Sequence, residues 1–200
     1  MTIIVGLTGG IASGKTTIVK LLKKNKLAVQ DSDLVVKRIY SKPKTKFITY
    51  LKKINLGKSL KRKKIDKKII REEIFNNSKK RKNLEKYIHK EIKKDRDIFL
   101  QKQKQKKTRL VFLDIPLLFE NKLEKICDYV ILLYAPLKLR KKRAIKRRGM
   151  NKEILEKIIK TQLTDKTKRN KSDFVVNTSK NINRSLNNVL NIIDLIKENQ

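Results

Sequence analysis

Apolar residues in this chain follow two rhythms. Short runs rich in β-branched residues occupy 2–7 (TIIVGL), 27–30 (LAVQ), 109–113 (RLVFL), 128–134 (DYVILLY) and 173–176 (DFVV). Runs of this length and make-up predict buried strands. Between them, apolar positions recur every three or four residues. Ile18, Val19, Leu21 and Leu22 predict a helix over 16–24; residues 34–40 read as a second helix, and Pro43 breaks the pattern. From 65 to 105 the period is helical, with one stripe at Ile69, Ile70, Ile74 and Phe75 and another at Leu84, Ile88 and Ile92. Ala135-Pro136 opens a basic helix that reaches Arg148, Gly149 interrupts it, and Asn151 is placed to cap a helix over 152–164. A last helix, over 185–197, gathers Leu186, Val189, Leu190, Ile193 and Ile196 on one face.

Strands without polar alternation, separated by helices, predict an α/β fold with a central parallel sheet covered on both faces. We expect a three-layer sandwich with a core over about 1–60, 108–138 and 172–200. A helical lobe over about 61–107 is inserted between its strands, and a helical lid covers about 139–171. Two hundred residues suffice for one folding unit of this kind, and no internal repeat is visible. No apolar run approaches the ~18 residues of a membrane helix. The start of the chain lacks a secretion leader and runs directly into a glycine motif. A single cysteine, Cys127, excludes a disulfide framework and a cysteine zinc cluster. The expectation is a monomeric cytoplasmic protein with no membrane partner.

Charge complicates that picture. The formal net charge is +35 with a pI near 10.4. One reading is a nucleic-acid footprint, since a basic surface gains affinity by releasing phosphate counterions. The other is a lysine-heavy composition laid over an ordinary fold. The lysines are spread along nearly the whole chain, and neither a helicase-like motif nor a basic stripe interleaved with aromatics is present. We therefore expect no specific nucleic-acid partner. On either reading, anionic substrates are drawn in, and low ionic strength destabilises the fold.

Gly9-Gly10-Ile11-Ala12-Ser13-Gly14-Lys15-Thr16 satisfies the Walker A pattern, between a predicted strand and a predicted helix as its mechanism requires. Glycines let backbone N–H groups curl round phosphates, and the helix N-terminus adds partial positive charge. Gly10, Ile11, Ala12, Ser13, Gly14, Lys15, Thr16 and Thr17 are thus the candidate ATP-binding residues, with Lys15 on the β- and γ-phosphates and the Thr16 hydroxyl on Mg²⁺. Asp31-Ser32-Asp33 ends the second predicted strand, on the side of a parallel sheet where ligands sit. A carboxylate there is either a general base for an attacking hydroxyl or a helix cap.

These motifs occur in a longer pattern. GLTGGIASGKT followed by DSD resembles the opening of the dephospho-CoA kinase family, whose members read GLTGGIGSGKS and D-A-D. Ile65-Asp66, then Ile70-Arg71 to Phe75, resembles its I-D-R-x-x-L-R-x-x-V-F segment, and Leu84 to His89 resembles its L-E-x-I-x-H-P. Residues 114–120, DIPLLFE, are identical to the family block. Tyr134-Ala135-Pro136 with Arg143 and Arg147, Gln162 with Lys168-Arg169, and 173–177 (DFVVN) continue the match.

The resemblance implies a P-loop kinase with ATP and dephospho-CoA as substrates and Mg²⁺ as cofactor, phosphorylating the ribose 3′-hydroxyl. It casts Asp33 as the base and Asp31 as its support or the orienter of metal and acceptor. Arg71 and His89 fall on the lobe that receives the CoA moiety, although His89 read alone is a helix-surface histidine. Asp114 is either a carboxylate that holds Mg²⁺ through water or a buried cap, and Pro116 shapes the acceptor wall. Arg143 and Arg147, four residues apart, lead into the lid, where arginine neutralises charge on the transferring phosphoryl group; the alternative is a solvated basic face. Asn177 lies in the segment that grips adenine. The chain departs from the family pattern with Ala12 for glycine, Lys90 for Pro, Arg140 for Gln, Arg148 for Asp, and Asn177-Thr178 for Asp-Asn. The rival readings are a P-loop kinase acting on another nucleoside or nucleotide, and a nucleic-acid-binding protein with an NTPase core.

Overall fold

The computed structural model describes residues 1–61 and 64–198. In chain order these form β1 (Ile3–Thr8), α1 (Lys15–Lys24), β2 (Ala28–Asp31), α2 (Ser32–Ser41), α3 (Thr45–Lys53), β3 (Leu60–Lys61) and β4 (Lys64–Ile65). They continue through α4 (Lys67–Phe75), α5 (Ser78–Gln105), β5 (Leu110–Asp114), β6 (Tyr129–Tyr134), α6 (Leu137–Ile145), α7 (Lys152–Lys160), α8 (Asp165–Asn170), β7 (Phe174–Asn177) and α9 (Ile182–Glu198). Two compact units result: Met1–Asp31 with Lys102–Gln200, and Ser32–Gln101.

The first unit is built on a parallel sheet in the order β2-β5-β1-β6-β7. Placing β1 between β5 and β6 explains its composition. Val5 and Leu7 are wholly buried and join Phe112, Ile131 and Leu133 in one core with Ile18 and Leu22 of α1 and Val189 and Ile193 of α9. Each such side chain contributes about 1.5–3 kcal/mol on leaving water, which is why these strands carry no polar alternation. In register, Leu7 and Asp31 both face Asp114, so three strands end level at their carboxyl edge. That edge, beside the strand where the chain changes direction across the sheet, is where a parallel α/β fold presents ligands.

The second unit holds α2, α3, the antiparallel pair β3–β4, α4 and most of α5. Its core is Phe47, Leu51, Leu56, Ile65, Ile70 and Leu84, with the Tyr87 ring stacked on both Phe47 at 5.1 Å and Tyr50 at 4.5 Å. This aromatic cluster accounts for a difference from the sequence reading. Helices α2 and α3 fall in this unit, not with the strands they follow, because Phe47 packs on Tyr87 of α5. The helical run from 65 to 105 is broken as well. Asp66 accepts from Lys68 N and Ile69 N to start α4, and Asn77 Oδ1 accepts from Lys80 N at 2.9 Å to start α5. Asn151 caps α7 as its position suggested, accepting from Ile154 N. That helix stops at Lys160, four residues short of the expected 164, and Thr164 caps a separate helix, α8, that begins beyond that range.

Candidate active site

The turn between β1 and α1 is the Walker A segment, and its backbone geometry is specific. Gly14 adopts φ +88°, a left-handed conformation that costs a side-chain-bearing residue strain, and it starts α1 without a side chain to cap the helix. Gly14 supplies no side-chain oxygen to the first turn of α1, where its carbonyl accepts from Thr17 N at 3.0 Å, and a helix start without a side-chain cap is suited to an anion. Ala12 also has φ +58°, which explains the glycine usual there in the resembling family. Here its methyl is buried against Ala144 and Leu155 instead. The Ser13 hydroxyl is buried and makes no hydrogen bond among the described residues. Ile11 N donates to Gln162 Oε1 at 3.1 Å, so this amide of the loop is held by a side chain from the turn after α7.

Lys15 is 8% exposed and forms an ion pair with Asp114, itself 2% exposed. Neither role foreseen for Asp114 includes this partnership, which sequence spacing cannot show across 99 residues. Beside it in the sheet, Asp31 Oδ2 accepts from Lys23 Nζ at 2.7 Å. Two lysines of α1 are thus matched to two carboxylates at the strand ends. The Thr8 hydroxyl donates to Pro116 O at 3.4 Å, tying the segment after β5 to the end of β1. Thr16 and Thr17 are exposed at the start of α1.

On the other side of the loop, a cleft of about 350 Å³ is lined by Gly14, Thr17, Arg143, Arg147, Thr178 and Lys180. Arg143 Nη2 donates to Thr178 O at 3.0 Å, while Arg147 is exposed. Thr178 entered the sequence reading only as a departure from the family pattern, with no role of its own. It is 3% exposed, and its hydroxyl is within hydrogen-bond reach of Ser13 O at 2.5 Å and Tyr134 O at 3.0 Å, joining the end of β7 to the phosphate loop. Asn177 is exposed and its Oδ1 accepts from Ser179 N, which shapes the turn. Glu120, the last residue of DIPLLFE, was also without a role. It accepts from Leu163 N at 2.9 Å and forms an ion pair at 2.8 Å with Lys168, which is 1% exposed.

In the second unit, Asp33 is exposed in the first turn of α2, which starts at Ser32, two residues earlier than the sequence suggested. A carboxylate in a first turn is favoured by the helix dipole. Arg71 on α4 and His89 on α5 are both exposed, and neither side chain makes a hydrogen bond or ion pair among the described residues. A separate cavity of about 370 Å³ is lined by Phe47, Tyr87 and Ile98 with Arg38, Lys42 and Lys94, none of them chosen from sequence. Burial holds the Tyr40 phenol above its ordinary range, so it stays neutral.

Comparison with known proteins follows the same lines. The family described as dephospho-CoA kinase matches residues 3–184. The dephospho-CoA kinase of Bartonella quintana is 36% identical over 199 residues, covering 98% of this chain and 99% of that protein. The dephospho-CoA kinase of Fusobacterium nucleatum is 36% identical over 183 residues, covering 90% and 91%. Among solved structures, the dephospho-CoA kinase from Campylobacter jejuni superposes with a TM-score of 0.73 at 26% identity, covering the whole of both chains.

Proposed function

Since the chain belongs to the dephospho-CoA kinase family, its reaction is the ATP-dependent phosphorylation of dephospho-CoA, the final step of coenzyme A synthesis, and we propose that Asp33 takes the proton of the attacking ribose 3′-hydroxyl. The phosphate loop of residues 9–16 holds the β- and γ-phosphates on its amides, and Lys15 turns from Asp114 towards their charge. Arg143 and Arg147, in the 350 Å³ cleft beside the loop, neutralise charge on the nucleotide as the helical segment 139–171 closes over it. Closure excludes water and so suppresses ATP hydrolysis. Asn177 and Thr178 form the floor under the adenosine. Arg71 and His89 take the CoA moiety from the second unit, with Pro116 on the acceptor wall. The reading is of a monomer working in the cytoplasm, and no helix among the described residues is long and apolar enough to cross a membrane.

The donor set suits Mg²⁺. No group of three His, Cys, Asp or Glu side chains converges among the described residues. The exposed Thr16 hydroxyl with the carboxylates of Asp114 and Asp31 offers a few oxygens, which matches an ion held mainly by phosphates and water. When bound there, Mg²⁺ offsets the negative charge that builds up between the β- and γ-phosphates.

The observation that carries the reading is the pairing of the buried P-loop lysine with the strand-end carboxylate of Asp114, together with an exposed Asp33 two residues beyond β2. The test is CoA formation from ATP and dephospho-CoA with Mg²⁺, for the parent and the Asp33→Asn variant. Loss of a general base costs about 10²–10⁴-fold. We expect kcat to fall at least a hundredfold while ADP affinity stays within threefold. A variant keeping a tenth of the parent rate removes Asp33 from the role. Absence of CoA from the parent, with ADP still bound, removes the acceptor.

A further inference from the structure

Three contacts grip the first half of the phosphate loop, and all come from the segment that runs from α6 to α8. Gln162 accepts from Ile11 N. Ile11 and Ala12 pack on Ala144, Leu155, Met150 and Ile159. The third contact is Arg140, 5% exposed in α6. Its Nε donates to Ala135 O at 2.9 Å, and its Nη2 lies 2.7 and 2.6 Å from the two carboxylate oxygens of Asp165 at the start of α8. Those bonds fix the plane of the guanidinium. The remaining nitrogen, Nη1, makes no hydrogen bond among the described residues and lies over Gly10, where an added Cβ would collide with it and stand 3.0 Å from Cζ. Glycine is needed at position 10 because arginine occupies the space a side chain would take.

We propose that the Arg140–Asp165 pair is a positioning device for the nucleotide. It holds Gly10 and Ile11 in the curvature that receives the phosphates, and its charge adds to the field in which they bind. A planar fork can do this: one edge is spent on Asp165 and Ala135, which leaves the other edge rigid against the loop. A lysine would deliver charge without that rigidity. Helix α8, through Asp165, thereby reports to the loop: a shift of the segment that carries Asp165 is felt at Gly10. Arg140 acts through the loop and is not a catalytic residue. The proposal rests on the loop binding ATP, not on the identity of the acceptor, so it is read first by ADP titration calorimetry.

For Arg140→Ala we expect ADP affinity to weaken at least fivefold and the KM for ATP to rise in parallel, while the KM for dephospho-CoA stays within twofold. Asp165→Asn, which keeps its volume, should weaken ADP binding at least twofold. The double variant should be no worse than Arg140→Ala, because partners in one interaction are not additive. Arg140→Lys should recover less than half of the loss on a logarithmic scale. A merely structural ion pair predicts otherwise: a lower melting temperature, with ADP affinity and the KM for ATP within twofold. That result overturns the proposal, as does full additivity in the double variant. Should Arg140→Ala fail to fold, Asp165→Asn alone decides at the same twofold threshold.

Discussion

Replacing Asp114 by Asn removes the carboxylate from a buried ion pair and leaves the Lys15 ammonium, 8% exposed, with an uncharged neighbour. Breaking a buried pair from one side costs about 3–5 kcal/mol, and because Lys15 keeps some contact with solvent the lower figure applies. For a chain of this size each kcal/mol moves the melting temperature about 2–4 °C, so the expected drop is about 6–12 °C in the absence of nucleotide. Saturating ADP should narrow the deficit, since a diphosphate supplies Lys15 with the counter-charge that the introduced amide lacks, beyond the general stabilisation of about 2.7 kcal/mol at a hundred times Kd. Differential scanning calorimetry with and without ADP reads both effects. The double variant Lys15→Met, Asp114→Leu should melt closer to the parent than either single charge removal, because no orphan charge remains. If Asp114→Asn melts within about 2 °C of the parent, or its deficit is the same with ADP, Lys15 and Asp114 do not balance each other's charge in the fold.

Other expectations follow from the same contacts. Thr178→Val strips the hydroxyl from Ser13 O and Tyr134 O, and a buried carbonyl left unpaired costs about 1–3 kcal/mol; the melting temperature should fall and the KM for ATP rise, measured by thermal denaturation and steady-state kinetics. Leu155→Ala opens a cavity beside Ala12 at about 2–5 kcal/mol; the KM for ATP should rise more than that for dephospho-CoA, which separate substrate titrations read. The Asp66 carboxyl is held below its usual range by Lys61 and by the N–H groups of Lys68 and Ile69, Glu73 by Lys80, and Glu153 by Lys157. Depressed carboxyls stabilise above their unfolded values of about 4 and lose that contribution as pH falls through the lower folded ones. Urea midpoints should therefore decline below about pH 4, and less steeply in Asp66→Asn.

Much of the first unit was legible in the chain because each of its signals is local. A buried parallel strand announces itself by unbroken apolar character, as in 128–134, and the Walker A turn by its glycines. What the sequence concealed is held by contacts between distant residues. The place of α2 and α3 depends on the Phe47–Tyr87 stack, two residues 40 apart in sequence. The start of α8 is a local exception, set by the hydroxyl of Thr164 accepting from Thr167 N, a cap that a helical period does not register. Asp114 and Asp31 were found as strand-end carboxylates, yet their lysine partners lie in α1 and only the register of β1, β5 and β2 brings them together. The partners of Thr178 and Glu120 were missed for the same reason, since a buried threonine and a motif's final glutamate carry no local sign of what they bond.

The tie from Thr178 to Ser13 spans 165 positions, and this bears on how the enzyme comes into being on the ribosome. Strand β1 emerges before its neighbours and has none in the sheet until β5 and then β6 have been translated. Its phosphate loop gains its last support only when residue 178 appears. Long-range closure of this kind is slow and comes late. A nascent chain that stops short of residue 178 has the Walker A sequence without this support, so ATP affinity should arise only once residue 178 has been made, after the whole of the second unit has been translated.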